Sequence, residues 1–152
     1  MFKSILVVCV GNICRSPMGE GLLCARAPEG VNVSSAGVGA LVGEPADPTA
    51  LKLMEERGVD ISSHRARQLT PEIAHDADLI LVMEQSHVDA IHSISPSSRG
   101  KVHAICKWDG LEVPDPYRKS PEYFEHVLGL IEKGVDQWSS RLWGKSKRVH
   151  EK

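Results

Sequence analysis

A cysteine opening a short loop and an arginine six positions later, in Cys9-Val10-Gly11-Asn12-Ile13-Cys14-Arg15-Ser16, have the types and spacing to do chemistry on a bound anion. Successive backbone N–H groups in such a loop, backed by a helix N-terminus, form an anion cradle. The same amides, the helix dipole and Arg15 all favour a thiolate at Cys9, which makes it a candidate nucleophile. The planar guanidinium of Arg15 matches two oxygens of a phosphoryl group, as an ammonium cannot. Gly11 and Asn12 tolerate the left-handed backbone that a tight cradle needs. Breaking a phosphoester through a thiolate also needs an acid for the departing oxygen. Asp115, in Val113-Pro114-Asp115-Pro116-Tyr117, is the best candidate, with flanking prolines to stiffen its loop and Tyr117 beside it to stack on an aromatic substrate. The alternative for Cys9 is a buried apolar residue at a strand end, and an Asp between prolines, taken singly, is more often a turn former than a catalyst. Their combination with Arg15 favours catalysis.

Other chemistries find less support in the 152 residues. Neither G-x-x-x-x-G-K-[ST] nor G-x-G-x-x-G is present, so no nucleoside triphosphate or dinucleotide site is expected. Seven histidines (His64, His75, His87, His92, His103, His126 and His150) are scattered without ligand spacing, and Cys9, Cys14, Cys24 and Cys106 form no C-x-x-C pair. Neither a metal nor a cofactor is therefore expected. Eighteen Lys and Arg against 20 Asp and Glu leave a formal charge of -2, which offers no field for nucleic acid or an anionic membrane. The longest early apolar run, Ile5 to Val10, is too short for a secretory core or a membrane span, and four cysteines are too few for a disulfide scaffold. A cytoplasmic protein with free thiols is expected.

The elements that must position the loop alternate in type. Ile5 to Val10 is a continuous apolar run, the pattern of a strand buried on both faces of a parallel sheet. Ser16 as N-cap and Pro17 at the first helical position start a helix to Ala27. Val31 to Ala36 forms a second strand, and Asp47-Pro48 starts a short helix closed by Gly58. Asp78 to Met83 is a third strand, about Ser86 to Ile94 a helix, and Lys101 to Cys106 a fourth strand. Phe124, Val127, Leu128, Ile131, Val135, Trp138 and Leu142 make one apolar stripe at the helical period. Four strands alternating with helices predict an α/β fold, a three-layer open sheet of four parallel strands flanked by helices, with the phosphate-binding loop after the first strand. One domain spans 1–143, and 144–152 is a polar tail expected to be flexible.

Val8-Cys9-Val10-Gly11-Asn12-Ile13-Cys14-Arg15-Ser16-Pro17 together with Asp115-Pro116-Tyr117 resembles the low-molecular-weight protein tyrosine phosphatase family, and the resemblance extends from Ile5 to about Trp138. The stretches 34–43 and 113–120 resemble its bacterial branch associated with capsule and exopolysaccharide export. The resemblance implies a two-step hydrolysis of phosphotyrosine through a cysteinyl-phosphate. Cys9 is the nucleophile, Asp115 first the acid and then the base, and Arg15 with the amides of Val10, Gly11, Asn12, Ile13 and Cys14 holds the phosphoryl oxygens. By the same resemblance Ser16 hydrogen-bonds the thiolate, and Asn12, Ser35 and His64 form a network that locks the loop. Leu41 stands where animal members carry a Trp, so Leu41 and Tyr117 wall the pocket, and Arg118 stands where they carry a second Tyr. The implied partner is an autophosphorylated bacterial tyrosine kinase with a tyrosine-rich tail, met by a monomer or a weakly self-associating protein. Cys14, in the same loop as Cys9, is a candidate to capture an oxidised Cys9 as a reversible disulfide. An arsenate reductase of the same fold needs two further cysteines after the third strand, and residues 80–100 contain none. A non-catalytic phosphoprotein-binding module is expected to lose Cys9, Arg15 or Asp115, and all three are present.

Overall fold

The β-branched run of the first strand decides the architecture. In the computed structural model, which describes residues 2–144, β1 (Ser4–Cys9) lies between β2 (Asn32–Gly37) and β3 (Leu79–Val82), with β4 (Val102–Ala104) outside β3. All pairings are parallel, with Cys9 opposite Gly37 and Val8 opposite Val82. The four-stranded parallel sheet is the one expected from the sequence.

Successive side chains of a strand point to opposite faces, so β1 feeds two cores. Ile5, Val7 and Cys9 join Leu79, Leu81 and the inner residues of α1 (Arg15–Arg26), α2 (Pro48–Glu56) and α5 (Pro121–Trp143). Leu6 and Val8 join Ile80, Val82 and Ala36 under α3 (Pro71–Asp76) and α4 (Gln85–Ile94). Helices cover both faces, which is why β1 and β3 read as unbroken apolar runs. The α5 stripe is buried from Phe124 to Trp138 as its period requires. Because the chain goes from β1 to one side and then to β3 on the other, a crevice opens beyond the carboxyl end of β1. The loop after Cys9 occupies that position.

Three local expectations are corrected. Helix α1 begins at Arg15 with Cys14 as N-cap, so Ser16 is inside the first turn, and its hydroxyl goes to the Cys9 thiol rather than to a cap bond. Helix α3 was not anticipated: Thr70 caps it by accepting from Ile73 N, but six residues are too few to display an apolar period. Strand β4 covers only Val102–Ala104, because 96–101 is wound as a 3-10 turn in which Lys101 donates through Nζ to the carbonyls of His75 and Ala77. Gly144 caps α5, its N–H reaching Ser140 O; the rest of the polar tail expected over 144–152 lies outside the described residues.

Candidate active site

The loop from Cys9 to Cys14 is turned so that its carbonyls face the protein. Cys9 O accepts from Val38 N at 3.0 Å, Val10 O from Gly39 N at 3.0 Å and Gly11 O from Leu41 N at 3.1 Å. Ile13 O accepts from Asp47 N at 2.8 Å, Cys14 O from Met18 N at 3.2 Å, and Asn12 O from His64 Nε2 at 2.6 Å. Among the described residues, none of the N–H groups of Val10 to Cys14 donates to a protein acceptor. Six carbonyls held outward leave the amides for a ligand, and unpaired amides ahead of a helix N-terminus are an anion site.

Asn12 sets the turn. Its φ is +61°, in the left-handed region, and the residue is fully buried. Its Nδ2 donates to Ser16 Oγ at 2.7 Å and to Ser35 Oγ at 3.0 Å, while its Oδ1 accepts from Arg67 N at 2.9 Å. Ser16 Oγ in turn lies 2.9 Å from Cys9 Sγ. The loop also runs so close to the end of β2 that a Cβ on Gly37 would stand 2.3 Å from Val10 O, so this position admits only glycine.

Arg15 is 2% exposed, and its fork is divided between two tasks. Nη1 donates to Glu84 Oε2 at 2.5 Å and to Val113 O at 2.9 Å. Nη2 stays on the pocket side, 3.9 Å from Asp115 Oδ2. Burying a guanidinium without a counter-ion costs several kcal/mol, and Glu84 supplies the opposite charge. Asp115 is exposed, and its Oδ1 accepts from Tyr117 N at 3.0 Å, an Asx turn between Pro114 and Pro116 that fixes the carboxyl over the loop. Cys14 is buried, and its thiol is pushed far above the ordinary value by that burial, then by Asp47, Asp115 and Cys9, with Arg15 opposing. It is therefore protonated at neutral pH.

The pocket enclosed by these groups has a volume of about 180 Å³ and is lined by Cys9 to Arg15 on its floor and by Gly39, Leu41, Asp115 and Tyr117 on its walls. The structure thus brings Cys9, Arg15, Asp115, Leu41 and Tyr117 together, and Asn12, Ser16, Ser35 and His64 behind them. Sequence reasoning missed three supporting residues. Glu84 follows β3, and the same rule about strand ends that singles out Cys9 points to it. Glu20 accepts from Ser35 Oγ at 2.5 Å and lies 3.9 Å from His64 Nδ1; its signal is its place four residues after Ser16 on one helix. Arg67 donates through Nε to Ser35 O at 2.9 Å, and nothing local in the sequence marks it.

The chain matches the model of the low molecular weight phosphotyrosine protein phosphatase family over residues 4–149. It belongs to that family. Low molecular weight protein-tyrosine-phosphatase Etp of Escherichia coli K12 is 51% identical over 142 residues, which cover 93% of this chain and 95% of that one. Wzb of the same organism is 48% identical over 143 residues, covering 93% and 97%. Among solved structures, Vibrio vulnificus Wzb in complex with benzylphosphonate superposes with a TM-score of 0.90 at 43% identity, covering 93% of this chain and 99% of that one. This phosphatase is accordingly a protein-tyrosine-phosphatase, and it shares the fold of its relatives.

Proposed function

We propose that this phosphatase cleaves phosphotyrosine with Cys9, Arg15 and Asp115, and that its substrate is an autophosphorylated tyrosine kinase of a bacterial polysaccharide-assembly system. The observation that carries the residue roles is the convergence of one thiol, five unpaired amides, one buried guanidinium and one carboxyl on a single 180 Å³ pocket. Cys9 Sγ attacks phosphorus while the bond from phosphorus to the tyrosyl oxygen breaks. Asp115, entering protonated, gives its proton to that oxygen, so a neutral tyrosine departs. Deprotonated Asp115 then takes a proton from a water, which attacks the cysteinyl-phosphate. Phosphate leaves, and the electron pair returns to sulfur as the Ser16 hydroxyl, 2.9 Å away, donates to it. The loop amides and the Nη2 side of Arg15 hold the three equatorial oxygens throughout. The steps use side chains and water alone.

Leu41 and Tyr117, 44% and 39% exposed, stand as walls at the mouth. A phenyl ring passes between them with its phosphoryl group on the floor, whereas a seryl phosphate stops short. The benzylphosphonate carried by the Vibrio relative has the same form, a ring one atom from phosphorus. The kinase assignment rests on the likeness of the chain to the bacterial branch, and it places the enzyme in the cytoplasm with the kinase tail.

The test is hydrolysis of a phosphotyrosine peptide and its phosphoserine counterpart by the reduced protein, the Cys9→Ser variant and the Asp115→Asn variant. Expected is turnover of phosphotyrosine alone, abolished in Cys9→Ser and reduced about 10²- to 10⁴-fold in Asp115→Asn. Undiminished turnover in Asp115→Asn overturns its role as acid. For the partner, a Cys9→Ser protein that fails to retain the phosphorylated tail of such a kinase, while retaining a phosphotyrosine peptide, refutes the kinase assignment.

A further inference from the structure

Only Asn12 and Arg118, among the described residues other than glycine, have a positive φ, and the two differ in what holds them. Asn12 is compensated by three side-chain hydrogen bonds, two of them buried and one partly buried. Arg118, with φ +64°, is the third residue of the turn closed by Lys119 N on Pro116 O at 2.9 Å, a position where backbone sterics favour Gly or Asn. Among the described residues its guanidinium has a single partner, the ring of Tyr117, with Cζ 5.2 Å from the ring centroid. An arginine in left-handed backbone, exposed and without a hydrogen bond, is a violation of local preference that stability does not explain.

Its place does explain it. Tyr117 walls the catalytic pocket, and the exposed Arg118, next in the chain, holds its guanidinium against that ring, just outside the pocket lining. Lys119 follows it, and the pocket lining also carries the exposed apolar side chains of Val10 and Leu41. The chain as a whole carries a charge of -2, so this cationic edge is local and not part of a general basic field. A phosphotyrosine seated on the floor brings its neighbours in the peptide to this rim.

We propose that Arg118 is a specificity residue that recognises an anionic side chain flanking the phosphotyrosine, a carboxylate or a second phosphoryl group. The proposal deepens the phosphatase reading and rests on it. The planar fork pairs with two oxygens of either group, and the ring of Tyr117 orients the fork while the substrate ring occupies the pocket.

The experiment compares kcat/KM for phosphotyrosine peptides that differ only in one flanking residue, Ala, Asp, Lys or a second phosphotyrosine, in the parent, Arg118→Gly and Arg118→Asn. Each rate is divided by that for the Ala peptide. The parent is expected to prefer the Asp and phosphotyrosine flanks by roughly two- to fivefold, through KM and more at low salt, the range of an exposed ion pair. Both variants bring the ratio to about one. Because glycine relieves the left-handed strain, Arg118→Gly melts no lower than the parent, so lost preference there is not lost fold. A preference for either anion that Arg118→Gly abolishes supports the proposal, and the stronger arm identifies its source. Equal kcat/KM across all flanks in the parent, or a preference that survives in Arg118→Gly, overturns it while leaving the phosphatase reading intact. Absence of turnover on every phosphotyrosine peptide refutes both.

Discussion

Asn12 is where the loop's shape and the catalytic thiol meet, and replacing it separates backbone strain from hydrogen bonding. Asn12→Ala removes three hydrogen bonds, the buried ones to Ser16 Oγ and Ser35 Oγ and the partly buried one to Arg67 N. At about 1 kcal/mol each this is about 3 kcal/mol. Alanine must also adopt φ +61°, which costs about 1 to 2 kcal/mol that asparagine largely escapes. The sum is about 4 to 5 kcal/mol, a fall in Tm of roughly 8 to 20 °C for a domain of this size. Asn12→Gly loses the same bonds without the strain, so it should be more stable than Asn12→Ala by about 1 kcal/mol, or roughly 2 to 4 °C. Both variants let Ser16 drift from Cys9 and the cradle amides from their aim, and a misplacement of about 1 Å costs on the order of a hundredfold in kcat. Equilibrium unfolding in urea beside steady-state hydrolysis of a phosphotyrosine peptide measures both effects. Equal stability of the two variants would show that the left-handed turn carries no strain. Parental kcat in Asn12→Gly would show that the network does not position the loop.

Glu84→Ala leaves the buried Arg15 with only the more distant, exposed Asp115 as counter-charge and, since Glu84 is itself partly exposed, is expected to lower stability by about 2 kcal/mol, below the cost of breaking a fully buried pair, and kcat/KM by at least tenfold; Glu84→Gln, which keeps an acceptor, should recover part of the stability, and equal losses in the two would show that the charge is immaterial. Gly37→Ala drives a methyl into Val10 O and should cost about 1 to 3 kcal/mol together with activity, read by thermal melting and kcat. Burial, and then the charge of Arg15, holds the imidazole of His87 below its ordinary 6.5, so the folded protein keeps it neutral while the unfolded chain takes up a proton as pH falls past that value. Stability is therefore expected to decline from pH 7 to pH 5, by at most about 1.4 kcal/mol per pH unit from this group. His103, lowered by burial and by Lys107, contributes separately, so the readout is the difference in slope between the parent and His87→Gln, which keeps an acceptor for Glu84 N; parallel slopes refute the assignment.

Where a property depends on near neighbours in the chain, the sequence displays it. Cys9 to Ser16 is one contiguous loop, and β1, β3 and α5 each carry their own period, so the sheet and the floor of the pocket were legible. The helix start was misread because Ser16 has two possible partners, and the thiol seven residues back outcompetes the local cap. Helix α3 has cap and proline but no length to show a face, and the short β4 reflects a lysine drawn to carbonyls 24 and 26 residues away. Glu84 meets Arg15 across 69 residues and Arg67 meets Asn12 across 55, separations at which no spacing argument operates.

The cysteine and arginine six apart are thus necessary for the site without being sufficient, because a six-residue loop cannot orient its own amides. The six carbonyls of Cys9 to Cys14 are tied down from the Val38 to Leu41 turn, Asp47, His64 and the first turn of α1. Remove those ties and a carbonyl can rotate inward, placing a negative dipole against the phosphoryl group where an amide stood. On the proposed mechanism, the catalytic power of the motif is therefore distributed in part over residues that do not line the pocket. His64 is the most telling of them, since its Nε2 proton alone holds the carbonyl of the left-handed Asn12, and Glu20 faces the opposite nitrogen. The tautomer with the proton on Nε2 is the one that keeps Asn12 O outward. A side chain that merely fills the same volume, as in His64→Leu, keeps the packing and loses the tie. Its expected signature is a lowered kcat with the fold retained, which sets it apart from a purely structural histidine whose loss shows in melting alone.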